Sequence, residues 1–244
     1  HRTLEPGEYL IYKRNFVIPK GFNKGRVFIN FGAVDQIATV FINDNNVGTH
    51  KGGYTSFKFE ITDYVTDGEN EIKVSCLDFS DVNAFSRGKQ KTKRGGIWYT
   101  CQSGIWQSVW LESTPKKYLE KVKITPNYDE SSVSFKYFGC DDVEVSIYDG
   151  DSLIAKTKDT TVSIPDFKSW SPESPFLYDV VFSACGEEIK SYFGMRKFSV
   201  GNDGKGVKRL FLNNKPYFHN GVLDQGYYPD GLLTPPANDA MKFD

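Results

Sequence analysis

The chain has 244 residues, of which 39% are hydrophobic and 15% are aromatic. This length is too great for one ordinary β-sandwich and fits two domains of about 100 residues each. Thirty basic residues nearly balance 31 acidic residues, and the net charge of −1 gives no general electrostatic reason to expect nucleic acid or an anionic membrane as a partner. No apolar run reaches the roughly 18 residues that a membrane helix needs, and no signal peptide is recognised.

The four cysteines are widely separated, and no pair has the short spacing of a zinc site or a redox motif. They are Cys76, Cys101, Cys140 and Cys185. Cys76 and Cys140 lie in strand-like runs, where a free cysteine behaves as a small apolar residue. We therefore expect reduced thiols, no metal and no cofactor, in a soluble cytoplasmic protein.

Side chains alternate between two sets along most of the chain. The clearest example is residues 26–31, whose sets are Val27, Ile29, Phe31 and Arg26, Phe28, Asn30. The same period of two recurs at residues 71–76, 143–148 and 180–184. This pattern predicts antiparallel strands with one buried face, and turn-forming residues separate the runs. The sequence therefore predicts an all-β protein built from sandwiches.

A domain boundary is predicted near residues 113–117, where a strand ending at Glu112 gives way to a polar stretch that contains Pro115. Residues 1–114 form the first predicted domain, with a long irregular loop from about Ser80 to Ser103. A loop of that length is usually functional or disordered. Residues 115–201 contain about seven short strands, the size and rhythm of an immunoglobulin-like sandwich.

The character of the chain changes again after Gly201. A β-ribbon is predicted at residues 209–218 with Asn213-Asn214 as its turn, and a helix is predicted to begin near residue 238 with Asn238 or Asp239 as its cap. A strand, an aromatic loop and a helix would form one βα unit of an α/β barrel, which is not a domain by itself. Because the chain lacks an initiator Met and stops in this helix, we expect both ends to be internal to a longer protein.

Five motifs resemble glycoside hydrolase family 2, the family of β-galactosidases, β-glucuronidases and β-mannosidases. Residues 103–112 (SGIWQSVWLE) resemble the end of the family's sugar-binding sandwich. The other four, in the family's order, are residues 32–35 with 40–43 (GAVD, VFIN), residues 50–54 with 59–62 (HKGGY, FEIT), residues 170–178 (WSPESPFLY), and residues 194–196 with 212–216 (GMR, LNNKP). Each motif is weak alone, but five in order over nearly the whole chain are specific.

The resemblance implies three parts. Residues 1–114 would be a jelly-roll-like sugar-binding sandwich that starts inside the family's first domain. Residues 115–201 would be an immunoglobulin-like sandwich, and residues 202–244 the truncated start of a catalytic TIM barrel. The chain would then be the non-catalytic N-terminal part of a retaining β-glycosidase. Because the family's two catalytic glutamates lie on later barrel strands, no catalytic residue is assigned and we expect the chain to be inactive alone.

The resemblance places Asp224, Gln225, Tyr227 and Tyr228 where the first barrel strand would end. In an α/β barrel, the loops that follow the strands form the active site. A carboxylate and an amide can bind sugar hydroxyls, and a tyrosine ring can cover the apolar face of a pyranose. We predict substrate contact for Asp224, Gln225 and Tyr228, with a polar loop of packed aromatic rings as the alternative.

The long loop carries a basic run, which in most proteins is a solvated surface. Its members are Arg87, Lys89, Lys91, Lys93 and Arg94. Resemblance to family members with the same Arg-Gly-Lys-Gln sequence at residues 87–90 implies instead that Arg87 and Lys89 reach the active-site rim. A cationic loop would also suit an anionic sugar such as a uronate.

Trp98, which lies in the long loop, is the candidate for stacking on a sugar ring. Three further tryptophans fit core or inter-domain packing better: Trp106, Trp110 and Trp170. His50 and His219 lack partners at catalytic or metal-binding spacing and are interpreted as structural. Gly52-Gly53 indicates a tight turn rather than a phosphate loop, because no helix follows it.

Two other functions stay open from the sequence. Jelly-roll sandwiches also occur as stand-alone carbohydrate-binding, lectin-like modules, which would need an exposed aromatic platform. A purely structural pair of sandwiches would have no reason to carry residues 224–230. In the leading interpretation the partner is a β-linked glycoside in the intact enzyme, with no nucleic acid or membrane partner. A homo-oligomer and the identity of the sugar stay open.

Overall fold

The computed structural model describes residues 4–244. The protein is 50% strand and 4% helix, so the prediction of an all-β fold is confirmed. The chain divides into two compact units: the first ends at Lys116 and also contains Leu223–Asp244, and the second is Lys117–Val222. Within the described residues, no helix has both the length and the apolar character needed to cross a membrane.

The first unit consists mainly of strands joined by antiparallel pairing. In chain order they are β1 (Glu8–Ile18), β2 (Arg26–Phe31), β3 (Val34–Asp35), β4 (Ile37–Ile42), β5 (Asn45–Lys51), β6 (Phe57–Glu60), β7 (Gly68–Asp78), β8 (Gly104–Ile105) and β9 (Val109–Thr114), with a 3-10 turn at Thr62–Tyr64. The sheet orders are β1-β7-β4-β5, β6-β2-β9 and the short pair β3-β8. One apolar core takes side chains from both larger sheets, including Phe31 of β2, Val40 of β4 and Val74 of β7. The two sheets therefore share a buried face, as in a sandwich.

The β4–β5 hairpin shows how local sequence determines register. Asn43 and Asp44 form its two-residue turn with φ angles of 47° and 64°. A two-residue hairpin turn of this kind needs positive φ at both positions, and Asn and Asp tolerate it better than most residues. The turn brings Ile42 opposite Asn45.

The prediction that β2 has one buried face is wrong. Phe28 and Asn30 are only 4% and 6% exposed, although they point away from Val27 and Phe31. β2 is the central strand of its sheet, and the cations of Arg26 and Lys58 lie 5.0 and 4.7 Å from the centre of the Phe28 ring. The second face is therefore buried by long charged side chains, which cover apolar surface with their stems.

The long irregular loop predicted in the first domain is confirmed. Between Asp78 of β7 and Gly104 of β8, all of which the structure describes, regular pairing is limited to isolated bridges between Gln90 and Tyr99 and between Gly95 and Trp98. We call residues 79–103 the long loop.

The second unit has its own strands and its own core. The strands are β10 (Lys121–Asn127), β11 (Ser132–Phe138), β12 (Val143–Asp149), β13 (Ser152–Thr157), β14 (Thr161–Ser163), β15 (Tyr178–Ala184), β16 (Glu187–Phe193), β17 (Phe198–Asn202), β18 (Lys208–Leu212) and β19 (Lys215–Pro216). The sheet orders are β10-β11-β14, β13-β12-β15-β16 and β17-β18-β19. Val145 of β12 pairs with Phe182 of β15, and both side chains lie in the core with Phe135.

All four cysteines are free thiols. Cys76 lies in β7 as predicted, but Cys140 lies between β11 and β12 rather than in a strand. It is nevertheless 3% exposed, because the bend that contains it packs against the core of the second unit.

The predicted β-ribbon is confirmed at β18 and β19, with Asn213 and Asn214 at φ angles of 51° and 64° in its turn. Residues 217–227 are described and form no regular strand, so the predicted strand before Asp224 is not formed. A strand of an α/β barrel forms when hydrogen bonds join it to the parallel strands on either side of it.

The helix predicted at the end of the chain is present as α1 (Asn238–Phe243), but its predicted cap is wrong. Ala237 is the N-cap residue, with an extended backbone and no side-chain capping bond. Asn238 and Asp239 lie inside the first turn, where the positive end of the helix dipole favours the Asp239 carboxylate.

Candidate functional site

Residues 223–234, which we call the docked segment, pack on the long loop within the first unit. The Tyr99 hydroxyl donates a hydrogen bond to Oε1 of Gln225 at 2.7 Å. The rings of Tyr99 and Tyr227 stack with centroids 4.4 Å apart. Further along, the Thr234 hydroxyl donates to the carbonyl oxygen of Trp106 at 2.6 Å. Because Tyr99 contacts both Gln225 and Tyr227, it anchors the docked segment to the loop.

A set of polar side chains, of which Asp35, Gln90 and Cys101 are buried, connects the loop to the strands of the first unit. We call Asp35, Tyr54, Gln90, Cys101 and Tyr227 the polar cluster. Gln90 is 3% exposed, and its Nε2 donates to the Tyr54 hydroxyl oxygen at 2.7 Å. Its Oε1 accepts a short hydrogen bond from the backbone N–H of Gln102. Gln90 therefore holds two parts of the long loop against the turn that contains Tyr54.

Asp35 is the buried carboxylate of the cluster. It lies in β3 and is 2% exposed, and its Oδ1 has no hydrogen-bond partner among the residues that the structure describes. Burial, followed by the negative charge of Asp78, raises the pKa of Asp35 to about 7. Gly53 permits this placement, because a Cβ at that position would lie 2.6 Å from Oδ1. By contrast, the adjacent Gln36 is hydrogen-bonded to the carbonyl oxygen of Ser80 at 3.1 Å.

Burial also raises the pKa values of the other titratable members of the cluster. It raises the pKa of Tyr54 to about 12 and that of the Cys101 thiol to about 11. The pKa of Tyr227 is raised as well, chiefly by burial, and its hydroxyl has no hydrogen-bond partner among residues 4–244. At neutral pH these three groups keep their protons, and Asp35 is the member that titrates there.

The three site residues predicted in the docked segment lie in different environments. Asp224 is exposed, and its Oδ1 accepts a hydrogen bond from the backbone N–H of Gly226 at 2.7 Å. Gln225 is held by Tyr99, as described above. Tyr228 is half-buried, and burial together with a hydrogen bond to Asp244 raises its pKa.

Of the three site residues predicted in the long loop, Lys89 and Trp98 adjoin Tyr99, whereas Arg87 is bonded elsewhere in the loop. Lys89 is exposed, and its carbonyl oxygen accepts from the backbone N–H of Tyr99 at 2.8 Å. Trp98 is 40% exposed, with the Lys91 ammonium 5.1 Å from the ring centre. Tyr99 thus joins Lys89 and Trp98 to the docked segment. The guanidinium of Arg87 instead donates to the carbonyl oxygen of Asn83 at 2.7 Å, within the loop.

Trp106, Trp170 and His50 take part in packing, whereas Trp110 is 42% exposed, so the expectation of core packing is wrong for it. The Trp106 indole N–H donates to the carbonyl oxygen of Gly53 at 2.7 Å, and that of Trp110 donates to Glu112 at 2.7 Å. The Trp170 ring lies 4.4 Å from the Arg196 guanidinium. His50 stacks on Phe57 with ring centroids 4.1 Å apart. Among the described residues, no group of three or more His, Cys, Asp or Glu side chains is placed to hold a metal ion.

Four residues of this region were not predicted from the sequence as members of one site: Asp35, Tyr54, Gln90 and Tyr99. A signal for Asp35 was present, because this carboxylate directly follows the apolar Ala33 and Val34 in a strand-like run. A charged residue in a buried strand is uncommon and usually has a specific reason. The sequence around Tyr99 contains no comparable signal.

Residues 2–115 match the family model described as glycosyl hydrolases family 2, sugar binding domain. The match covers the strands of the first unit and the whole long loop. The polar cluster, apart from Tyr227, therefore lies inside the matched region.

Related sequences are glycosidases that are longer than this chain. The β-galactosidase of Streptococcus thermophilus is 24% identical over 86% of this chain, which spans 21% of that protein. The β-glucuronidase of Streptococcus agalactiae is 23% identical over 86% of this chain, which spans 38% of it. The chain thus spans between about one fifth and two fifths of the length of these relatives.

Solved structures share the fold over nearly the whole chain. A β-glucuronidase from an uncultured Clostridium species has a TM-score of 0.78 and 20% identity, over 96% of this chain and 42% of that one. The β-glucuronidase of Faecalibacterium prausnitzii has a TM-score of 0.76 and 23% identity, over 95% and 44%. At these identities the likeness concerns the fold.

Proposed function

We propose that this chain, whose residues 2–115 match the model of the sugar-binding domain of glycosyl hydrolases family 2, is the non-catalytic N-terminal part of a retaining β-glycosidase. The intact enzyme would hydrolyse terminal β-linked sugars. A retaining glycosidase needs two carboxyl groups about 5–5.5 Å apart, one as nucleophile and one as acid/base. In our proposal both are supplied by later parts of the enzyme, and this chain supports the barrel and contributes to the active-site rim.

The proposal assigns residues 1–114 to a jelly-roll-like sandwich, residues 115–201 to an immunoglobulin-like sandwich and residues 202–244 to the start of a TIM barrel. The strand orders β10-β11-β14 and β13-β12-β15-β16 support the second assignment, since three-plus-four sheets are the arrangement of immunoglobulin-like domains. The short helix α1 after the docked segment supports the third, because barrel repeats place a helix after each strand and its loop.

The proposal that these residues lie at the active-site rim is supported by the contacts of Tyr99 with Gln225 and Tyr227. It places the exposed Asp224 on a segment fixed to the same loop that carries Lys89 and Trp98. A carboxylate, an amide, an ammonium and an aromatic ring are the groups that bind sugar hydroxyls and cover a pyranose face. We propose that Asp224, Gln225 and Tyr228, with Lys89, Trp98 and Arg87, contact the sugar or its leaving group in the intact enzyme.

The experiment that tests the proposed activity compares this chain with the full-length gene product on nitrophenyl β-galactoside, β-glucuronide, β-mannoside and β-glucoside. We expect hydrolysis of at least one of these by the full-length protein and none by the chain alone. Hydrolysis by the chain alone would contradict the assignment, because the catalytic carboxyl groups would then lie within these 244 residues. An inactive full-length protein that binds a soluble glycan would favour a carbohydrate-binding module instead.

A second experiment tests the rim residues in the full-length enzyme. Asp224→Asn and Trp98→Ala should raise KM for the cleaved glycoside, and each lost polar contact corresponds to about 1–3 kcal/mol of binding. The matched control is Trp170→Phe, which changes a tryptophan of the second unit and should leave KM unchanged. Unchanged kinetics in both rim variants would remove these residues from the proposal.

A further inference from the structure

Two of the four cysteines are brought together at one end of the second unit. The last pair in the β12–β15 ladder is Val143 with Ala184. Cys185 directly follows Ala184 and lies in the β15–β16 turn, with φ of 53°. Cys140 lies in the bend that precedes β12. The antiparallel pairing therefore delivers both residues to the same end of the sheet.

The two cysteines pack in the same core cluster. Cys185 packs against the core cluster that contains Cys140, and the interaction with the Cys140 thiol is the largest influence that raises the pKa of Cys185. The Cys140 thiol in turn donates to the carbonyl oxygen of Asp142 at 3.6 Å. Cys185 is partly exposed, whereas Cys140 is buried. One thiol can therefore be reached from solvent, and the other lies in the core against which it packs.

The surface beside Cys185 carries carboxylates and ammonium groups, with the carboxylates in slight excess. A shallow depression of about 430 Å³ includes Cys185 and four carboxylates, with Lys158 as its ammonium group. The carboxylates are Asp142, Glu144, Glu187 and Glu188. Lys158 pairs with Asp142 at 2.6 Å and Lys156 with Glu144 at 2.9 Å, and Lys117 also acts on Cys185, so the four carboxylates exceed the three ammonium groups by one. Such a surface disfavours the approach of an anionic reagent and admits an uncharged one.

We propose that Cys140 and Cys185 form a thiol–disulfide exchange site, in which a small uncharged disulfide oxidises the pair to an intradomain disulfide. The Cys185 thiolate attacks one sulfur of the reagent, forms a mixed disulfide and releases the first thiolate. The Cys140 thiolate then attacks the Cys185 sulfur and releases the second. Two protein thiols are oxidised to one disulfide, the reagent is reduced to two thiols, and the protons pass to the released thiolates.

Thiol–disulfide exchange requires a thiol that the reagent can reach, and the other two cysteines are less accessible than Cys185. Cys76 and Cys101 are 0% and 5% exposed and lie in the first unit. Burial raises the pKa of Cys76 to about 12, so its thiolate is scarce as well as inaccessible. Because the pKa of the Cys185 thiol is raised, more of its thiolate forms as pH rises, and exchange should then accelerate.

The test treats the folded, reduced chain with hydroxyethyl disulfide, removes the reagent, alkylates the remaining thiols in urea so that buried thiols also react, and maps the peptides by mass spectrometry without reduction. We expect one cross-linked peptide pair joining Cys140 to Cys185, with the loss of two hydrogen atoms, and alkylated Cys76 and Cys101. A bond to either of these two, or a persistent mixed disulfide on Cys185 that Cys140 never displaces, would overturn the proposal. So would four alkylated thiols.

Two controls sharpen the test. Cys140→Ala should trap the mixed disulfide on Cys185, whereas Cys101→Ala should leave the cross-link unchanged. The wild-type peptide map decides the proposal even where a variant does not fold. Anionic glutathione disulfide should react more slowly than hydroxyethyl disulfide at low salt, and added salt should narrow the difference. Equal rates at low salt would contradict the role of the carboxylate excess.

Discussion

Asp35→Asn tests whether the buried carboxylate of the polar cluster weakens the fold at neutral pH. The substitution keeps the shape of the side chain and removes its ability to ionise. Asp35 is 2% exposed, its Oδ1 has no hydrogen-bond partner among the described residues, and Asp78 is the charge that adds to the effect of burial. These three conditions all disfavour the ionised form.

The size of the effect follows from the pKa of Asp35, which folding raises from 3.8 to about 7. Below the lower value the group is protonated in both states and costs the fold nothing. Between the two values the unfolded chain ionises first, so stability falls as pH rises, and above the higher value the cost is constant. At about 1.4 kcal/mol per pH unit the full cost is roughly 4 kcal/mol, of which about 2–3 kcal/mol develops between about pH 5 and pH 8.

The assay is urea unfolding of wild type and Asp35→Asn at about pH 5 and pH 8. Both proteins should carry Trp170→Phe, so that tryptophan fluorescence reports the first unit, where Trp98, Trp106 and Trp110 lie. We expect the variant to gain stability relative to wild type as pH rises, by about 2–3 kcal/mol over this interval. Groups that titrate in both proteins cancel in the comparison.

A stability difference that is the same at both pH values would refute the reasoning, because Asp35 would then ionise with its ordinary pKa. The matched control is Asp78→Asn. Asp78 is fully buried, and its carboxylate accepts hydrogen bonds from the backbone N–H of Ser80 at 2.6 Å and from the Ser103 hydroxyl. An amide cannot accept at both oxygens, so we expect a loss of about 1–3 kcal/mol at about pH 5.

Three further predictions concern packing. Gly53→Ala should lower the stability of the first unit by about 1–3 kcal/mol, because its Cβ would lie 2.6 Å from the buried carboxylate, whereas Gly204→Ala has open space and should change urea unfolding little. Tyr99→Ala should speed hydrogen exchange of residues 223–234, since it removes a ring stack of about 0.5–1.5 kcal/mol and a hydrogen bond, and unchanged exchange would contradict the anchoring. Phe182→Ala should destabilise the second unit by about 3–5 kcal/mol in urea and leave the first unit unaffected.

Local periodicity and turn chemistry were readable without the structure. Alternating side chains identify strands because successive side chains point to opposite faces, whatever the strand pairs with. The Asn213-Asn214 turn was identifiable because few residues other than glycine tolerate its positive φ angles. The long loop was recognisable as a stretch without this periodicity. The ordered motifs predicted a likeness to glycoside hydrolase family 2, and residues 2–115 match the model of that family's sugar-binding domain.

Features that depend on distant parts of the chain were decided by the tertiary structure. The second face of β2 is buried because Lys58, from a neighbouring strand, covers Phe28. The N-cap at Ala237 depends on where the preceding backbone turns, and neither Asn238 nor Asp239 reaches that position. Pattern alone does not say which strand is central in a sheet, or at which residue a helix begins.

The polar cluster and the cysteine pair are the clearest examples of features that depend on the tertiary structure rather than on local sequence. Asp35 and Tyr227 are far apart in sequence, and the fold brings them close enough for the Asp35 charge to act on Tyr227. Cys140 and Cys185 meet only because β12 pairs with β15 in the observed register. Residue type and spacing determined the strands and turns, since those depend on neighbouring backbone. Burial, pKa and side-chain partners depend on what the fold brings near, and only the tertiary structure decided them.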